Sequence, residues 1–502
     1  MLISALVFAL VLLYPASRLY VSDQVSKLSW PTAPASPSSP SSPGADRELF
    51  DIPPEYDFAP SQDPACIDRF SGKYIQGLRD HAVSYCSAES RSNITCFHTR
   101  ARKDEVDSFC IGRGVEFANG KFSLDCSIRK LTTEETQKGL VPFDAIHGYW
   151  YDTGPPNVFR AGVDIHEGSG HEVVAAPENE AANPPKSFLL LKREGETNTW
   201  HSLMEIFATF VTFDVLRISG DTSRGNEAFF RVPEDVADTQ VIILDDRKDG
   251  PYFDLWTLFA QRKPLRLKEL AEDKATTAAI KNADIIVPLT GSSNPMWQPS
   301  LDVQRCTVAP TVSVFSRRVL EFYKVPDPPV RQPGEPILVT FIDRQSRRLE
   351  NQTALFDELK KRNSHITVQF IDFAEITFAE QLRVARETDV FVGVHGAGLT
   401  HTIFMRENAG AVVEILPPAV ENGGFSMISA MRGLSYFHVH GSTGSKKRDE
   451  NLARMPQESE DIQKRDDWHG NDVRLEPERF IDVMETAIKS MYSKGLWNYD
   501  VN

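Results

Sequence analysis

The chain has 502 residues, 41% hydrophobic and 25% charged, which is enough apolar material for two or three packed domains. Its 55 basic residues face 70 acidic ones, for a formal net charge of -15. That balance excludes nucleic acid as the main partner, because phosphate binding rests on Lys and Arg, but it leaves room for a basic pocket around one small anion.

Met1 to Tyr14, MLISALVFALVLLY, is apolar and uncharged, and Arg18 follows. A run of about 13 apolar residues falls short of the ~20 of a usual membrane span. Residues 1–22 read as a signal anchor, with a cleaved signal peptide as the alternative. Residues 23–60 contain WPTAPASPSSPSSPGA, a Pro/Ser-rich stem that cannot bury a core and acts as an extended spacer. Anchor plus stem predicts a single-pass type II protein of the Golgi or ER membrane with its catalytic part in the lumen, or a secreted protein if the N-terminus is cleaved.

Residues 61–186 form a Cys-containing region. Five of the six cysteines fall there, at 66, 86, 96, 110 and 126, and Cys306 stands apart. No Cys-x-x-Cys pair occurs, so in a secretory chain these residues predict disulfides rather than zinc, with the pairing left open. The sequons at Asn93 and Asn351 agree with a lumenal location. Alternation through Ser108 to Cys126 predicts short strands or a hairpin.

From Ser187 short apolar runs alternate with helical patterns. The runs are 188–191, 241–244, 285–289, 337–342, 366–371, 390–394 and 411–416, and candidate helices include 200–215 and 351–361. Continuous apolar strands separated by helices predict parallel sheets covered on both faces. The fold class is therefore α/β, with two Rossmann-like domains, 187–325 and 337–493, facing a cleft. The Pro-rich stretch 326–336 is the hinge between them. Residues 442–472 read as a polar surface loop before a last helix at 477–493.

Four stretches carry candidate chemistry. In VGVHGAGLTH a buried strand stops at His395, and Gly396, Ala397, Gly398, Leu399 and Thr400 open the next element. Glycines there let backbone approach a ligand, and a helix start favours an anion. In FIDRQSRR, Arg344, Arg347 and Arg348 follow another strand and suit a diphosphate, because guanidinium makes bidentate, charge-assisted bonds. Glu414, late in the apolar strand AVVEIL, needs a partner and could accept from a ribose hydroxyl. His201 and Glu205 share one helix face and could act as a base with its orienting partner. Taken singly, each stretch also fits a plain role: a tight turn, a basic edge, a charged strand end, a surface ion pair.

Together they resemble glycosyltransferase family 61, nearest its EGF-domain-specific O-GlcNAc transferase branch. The resemblance rests on DVFVGVHGAGLTHTIFMRENAGAVVEILPP, supported by FCIGRGVEFANGKFSLDC, NTWHSLMEIFATF, VIILDDRKDGPYFDLW and RQSRRLEN in that order. It implies a GT-B-like fold and inverting transfer from a UDP-sugar, UDP-GlcNAc first and UDP-xylose as the alternative, to a secreted protein or glycan. On this chain Arg344 and Arg348 would hold the diphosphate, and His395 to Thr400 would close on the nucleotide-sugar. Glu414 would lie near the nucleoside. Glu205, or secondly His201, would serve as base. Some relatives carry an Asp-x-Asp triplet where this chain reads FAQRKPLRLKEL, so no cofactor and no metal requirement is expected. A lumenal protein that kept the fold and lost transfer is the non-catalytic alternative.

Overall fold

The computed structural model describes residues 52–57, 63–100, 106–167, 185–221, 225–230, 236–297, 306–329, 332, 334–418, 420–446 and 471–494. The expected anchor, nearly all of the stem and the centre of the 442–472 stretch lie outside the described residues. Among those described, no helix is long and apolar enough to cross a membrane.

Two sheets organise the chain. In the first, β1 (Asn93–Thr99) and β2 (Asp107–Ala118) run antiparallel, and β2 turns into β3 (Lys121–Asp125). The turn is Asn119-Gly120, with φ of 53° and 83°. Such left-handed pairs match the twist of the flanking strands, and the hairpin expected from the alternation is present. β4 (Ser187–Leu191) leads into α1 (Thr199–Arg217), and β5 (Thr239–Ile243) and β6 (Ala283–Val287) follow. β6, β4 and β5 are parallel neighbours, and β2 pairs antiparallel with β6, so the Cys-containing region shares this sheet. Every residue of β4 and β5 is buried, which is why they read as unbroken apolar runs.

All six cysteines are paired, as Cys66–Cys306, Cys86–Cys126 and Cys96–Cys110. Cys306, isolated in sequence, ties the segment before α2 (Pro310–Phe322) to the first described α-helix, Pro64–Phe70. The two sequons differ. Asn93 is only 9% exposed, inside β1, and bonds Thr95, so its side chain is closed to modification, whereas Asn351 is exposed.

The second sheet is wholly parallel. Its elements are β7 (Ile337–Asp343), α3 (Gln352–Arg362), β8 (Ile366–Asp372), α4 (Phe378–Glu387), β9 (Val390–Val394), β10 (Ala411–Leu416), α5 (Gly424–Met431) and β11 (Ser435–His440), with α6 (Pro477–Ser490) packed behind. Strand order is β8-β7-β9-β10-β11. The chain therefore reverses direction across the sheet between β7 and β9, the topological switch point at which open α/β sheets take ligands. β11 is a half-buried edge strand without the continuous apolar run that identifies the others. The largest apolar cluster joins α1 and α2 to Phe391, Leu399, Phe404 and Val412, so α1 is held between the two halves.

Candidate functional site

The carboxyl ends of β7 and β9 lie side by side, through the register Val339 to Val390 and Phe341 to Val392. Past β7 the Asp343 carboxylate accepts from Arg344 N and from Gln352 Nε2, both at 2.9 Å, which fixes the start of the loop. Arg347 follows at φ 54°, an unusual left-handed position for a long side chain. Past β9, Gly396 has φ 154° and ψ 177°, a conformation essentially confined to glycine. The Arg344 and Arg347 guanidinium groups converge there, and their Nη1 atoms donate to His395 O at 3.4 and 3.1 Å. A Cβ on Gly396 would collide with the Arg344 guanidinium and sit 3.2 Å from Arg347 Nη2.

Two cations thus flank the glycine turn at the switch point. Arg348 is placed differently: 41% exposed, it lies 4.0 Å from Asp343, and its backbone N–H donates to Asp472 at 2.9 Å. Arg347, which the family pattern did not single out, stands beside Arg344 instead. The element after the turn, Ala397–Phe404, is a 3-10 helix rather than an α-helix. Ala397 and Gly398 remain partly open, while Leu399 is buried, and Thr400 is buried with no hydrogen-bond partner on Oγ1. Thr400 therefore neither caps this helix nor presents its hydroxyl at the surface.

Glu414, expected near the nucleoside, already has partners within the fold. It is fully buried, and both of its oxygens are occupied. One bonds His395 Nδ1 and the other accepts from Tyr436 OH at 2.5 Å. Burial and the neighbouring Glu414 charge push the Tyr436 phenol well above its usual range. The result is a relay across β9, β10 and β11 that holds the His395 ring in one orientation.

On the first sheet the functional side chains gather at the carboxyl end of β4 and the start of α1. Asn198 caps α1, with Oδ1 accepting from Trp200 N at 3.0 Å. Arg193 turns inward and binds Asp245 beyond β5, at 2.7 and 3.2 Å, which pins the loop. The next residue, Glu194, receives His201 Nδ1 at 3.1 Å on one oxygen and Ser292 N at 3.0 Å on the other. His201 is thus paired, but with Glu194 rather than with Glu205. Glu205 lies beneath, 7% exposed, accepting from Glu194 N at 2.7 Å through Oε1, with Oε2 unpartnered. Burial, and then the charge of Glu194, push the Glu205 carboxyl well above the usual range, which favours its neutral form. Glu194 could have been suspected only from a charge just past an apolar strand, a weak signal.

An aromatic wall joins the two groups. Trp297 stacks edge-on against His201 at 4.9 Å and lies 5.6 Å from Trp200; Trp200 meets Phe425 at 5.7 Å, and Phe425 meets His395 at 5.6 Å. His201, 17% exposed, is thus linked by a chain of ring contacts to His395 at the Arg344/Arg347 turn, with Phe425 and His395 themselves buried. Among the described residues no cluster of three or more His, Cys, Asp or Glu is arranged to hold a metal ion. The groups present can bind an anion at one end and take up a proton at the other.

Comparison with known proteins agrees in region. Residues 199–412 match the family model described as Glycosyltransferase 61, a span that contains His201, Arg344, Arg347 and His395. A Drosophila melanogaster protein named EGF domain-specific O-linked N-acetylglucosamine transferase is 24% identical over 251 residues, 49% of this chain and 44% of that protein. Its Bos taurus namesake is 36% identical over 107 residues, 20% of each chain. The Oryza sativa Beta-1,2-xylosyltransferase RCN11 is 33% identical over 97 residues, 18% of each. The chain thus spans less than half the length of the relatives it matches.

Proposed function

From a chain that carries a glycosyltransferase family 61 domain over residues 199–412, we propose inverting transfer of a sugar, most simply GlcNAc, from a UDP-sugar to a protein or glycan hydroxyl in the secretory pathway. The observation that carries this reading is the pair of guanidinium groups, Arg344 and Arg347, converging on Gly396 at the switch point. A diphosphate seated there meets two fixed cations and open backbone at Ala397 and Gly398. As the bond between the anomeric carbon and UDP breaks, negative charge builds on the diphosphate, and preorganised donors stabilise it where it develops. Their two positive charges supply the neutralisation that a divalent ion would otherwise provide, so on this reading no metal is required. The two sheets form the halves of a GT-B-like cleft, donor on the second and acceptor on the first.

Names among the relatives support GlcNAc first, and the rice xylosyltransferase supports UDP-xylose as the second reading. Three disulfides fit an oxidising compartment. The apolar N-terminus then serves as the membrane anchor of a lumenal enzyme.

The test is the melting temperature of the full chain, purified in detergent, with UDP, UDP-GlcNAc, UDP-xylose, UDP-galactose, GDP-mannose and NAD, each with and without EDTA. A ligand at ~100 times its Kd stabilises by ~2.7 kcal/mol. A shift with UDP and one UDP-sugar, unaltered by EDTA, is expected and names the donor. No shift with any UDP compound would overturn the reading.

A further inference from the structure

We propose that His201 is the base that deprotonates the acceptor and that Glu194, outside the family match, is its positioning residue. The inference rests on the transferase reading above and assigns roles at the acceptor end of that site. Three observations carry it. Glu194 is fully buried at its side chain, and its two oxygens are committed to His201 Nδ1 and Ser292 N. A carboxylate in that place makes Nδ1 the protonated nitrogen and leaves the lone pair on Nε2. The ring is held on two further sides, by Tyr151 at 5.0 Å and Trp297 at 4.9 Å, so its direction is set before any substrate arrives. The imidazole retains 17% exposure, whereas both carboxyls behind it are enclosed.

Gly291 shows how tightly this arrangement is built. A Cβ there would lie 2.9 Å from Glu205 Cγ and 3.0 Å from Glu194 Oε1, so the backbone beside the two carboxyls has room only for glycine. Glu205, 7% exposed, accepts from the Glu194 N–H, and its contribution is to brace Glu194 through that bond.

The step balances. The acceptor O–H proton passes to His201 Nε2 as the acceptor oxygen forms its bond to the anomeric carbon. The bond from that carbon to the UDP oxygen breaks, and its electron pair leaves on the diphosphate. The imidazolium formed at His201 faces the Glu194 carboxylate and later returns its proton to solvent.

The experiment follows UDP release from UDP-GlcNAc and from UDP-xylose by the full chain, with water in the acceptor's place, alongside UDP binding. For Glu194→Gln, kcat should fall between ~10²- and 10⁴-fold, the range of general base catalysis, with UDP affinity within about twofold of wild type. His201→Gly should lose activity equally, and free imidazole, filling the space left by the ring, should restore part of it. Glu194→Gln activity equal to wild type would overturn the positioning role, and His201→Gly that imidazole does not restore would overturn the base. Should Glu194→Gln fail to fold, the imidazole result alone decides against or for the base and its pairing, read in His201→Gly at intact Glu194. A wild-type chain that binds UDP but shows no loss in these variants refutes this inference only; one that neither binds UDP nor releases it refutes the transferase reading as well.

Discussion

Replacing Gly396 by Ala tests the donor site at its narrowest point. At φ 154° and ψ 177° an added Cβ is strained in itself, at a cost of ~1–3 kcal/mol. It also displaces the Arg344 guanidinium, which is the far end of a flexible side chain and can swing aside at little further cost to the fold. At roughly 2–4 °C per kcal/mol, the melting temperature should drop by about 2–12 °C. Binding should suffer more. Loss of one charge-assisted bond to a diphosphate is worth ~1.5–3 kcal/mol, or about 10- to 150-fold in Kd. Isothermal calorimetry with UDP on the folded variant, beside Arg344→Ala and Arg347→Ala, measures this directly. Gly396→Ala that melts lower yet binds UDP as wild type does would refute the placement of the diphosphate between these arginines.

Three further outcomes are expected. Cys66→Ser with Cys306→Ser opens a cross-link spanning 240 residues and should destabilise the fold by about 5 kcal/mol, read as a lower denaturation midpoint; an unchanged midpoint would deny that bond a structural role. In protein secreted from cells, Asn351→Gln should lower the mass by one N-glycan, and Asn93→Gln should not, because Asn93 is enclosed in β1. Glu205 has a folded pKa raised above its unfolded one, so its stabilising contribution is present at low pH and is lost as pH rises. Glu205→Gln cannot ionise, and its melting temperature relative to wild type should climb as pH rises above the ordinary carboxyl range; a constant difference would show that the carboxyl is not raised in the fold.

The parallel strands were legible because each is buried on both faces and so is written as an unbroken apolar run: Val390–Val394 and Ala411–Leu416 begin and end where the sequence places them. The hairpin around Asn119-Gly120 was legible from the alternation through Ser108 to Cys126. The edge strand Ser435–His440 was not, since one covered side leaves no such run. Disulfide pairing was likewise hidden, because Cys66 and Cys306 meet only through the packing of elements far apart in the chain.

By itself the sequence determined the α/β class, the glycine turn at His395 and the arginines near it, because backbone conformation and strand burial impose local residue choices. Only the tertiary structure decided partners. It put Arg347 rather than Arg348 beside Arg344, gave His395 to Glu414 and Tyr436, and gave His201 to Glu194 while burying Glu205. Spacing along a helix says which side chains share a face, but a charge is satisfied by whatever donor the fold brings within bonding distance, and here those donors come from neighbouring strands and loops.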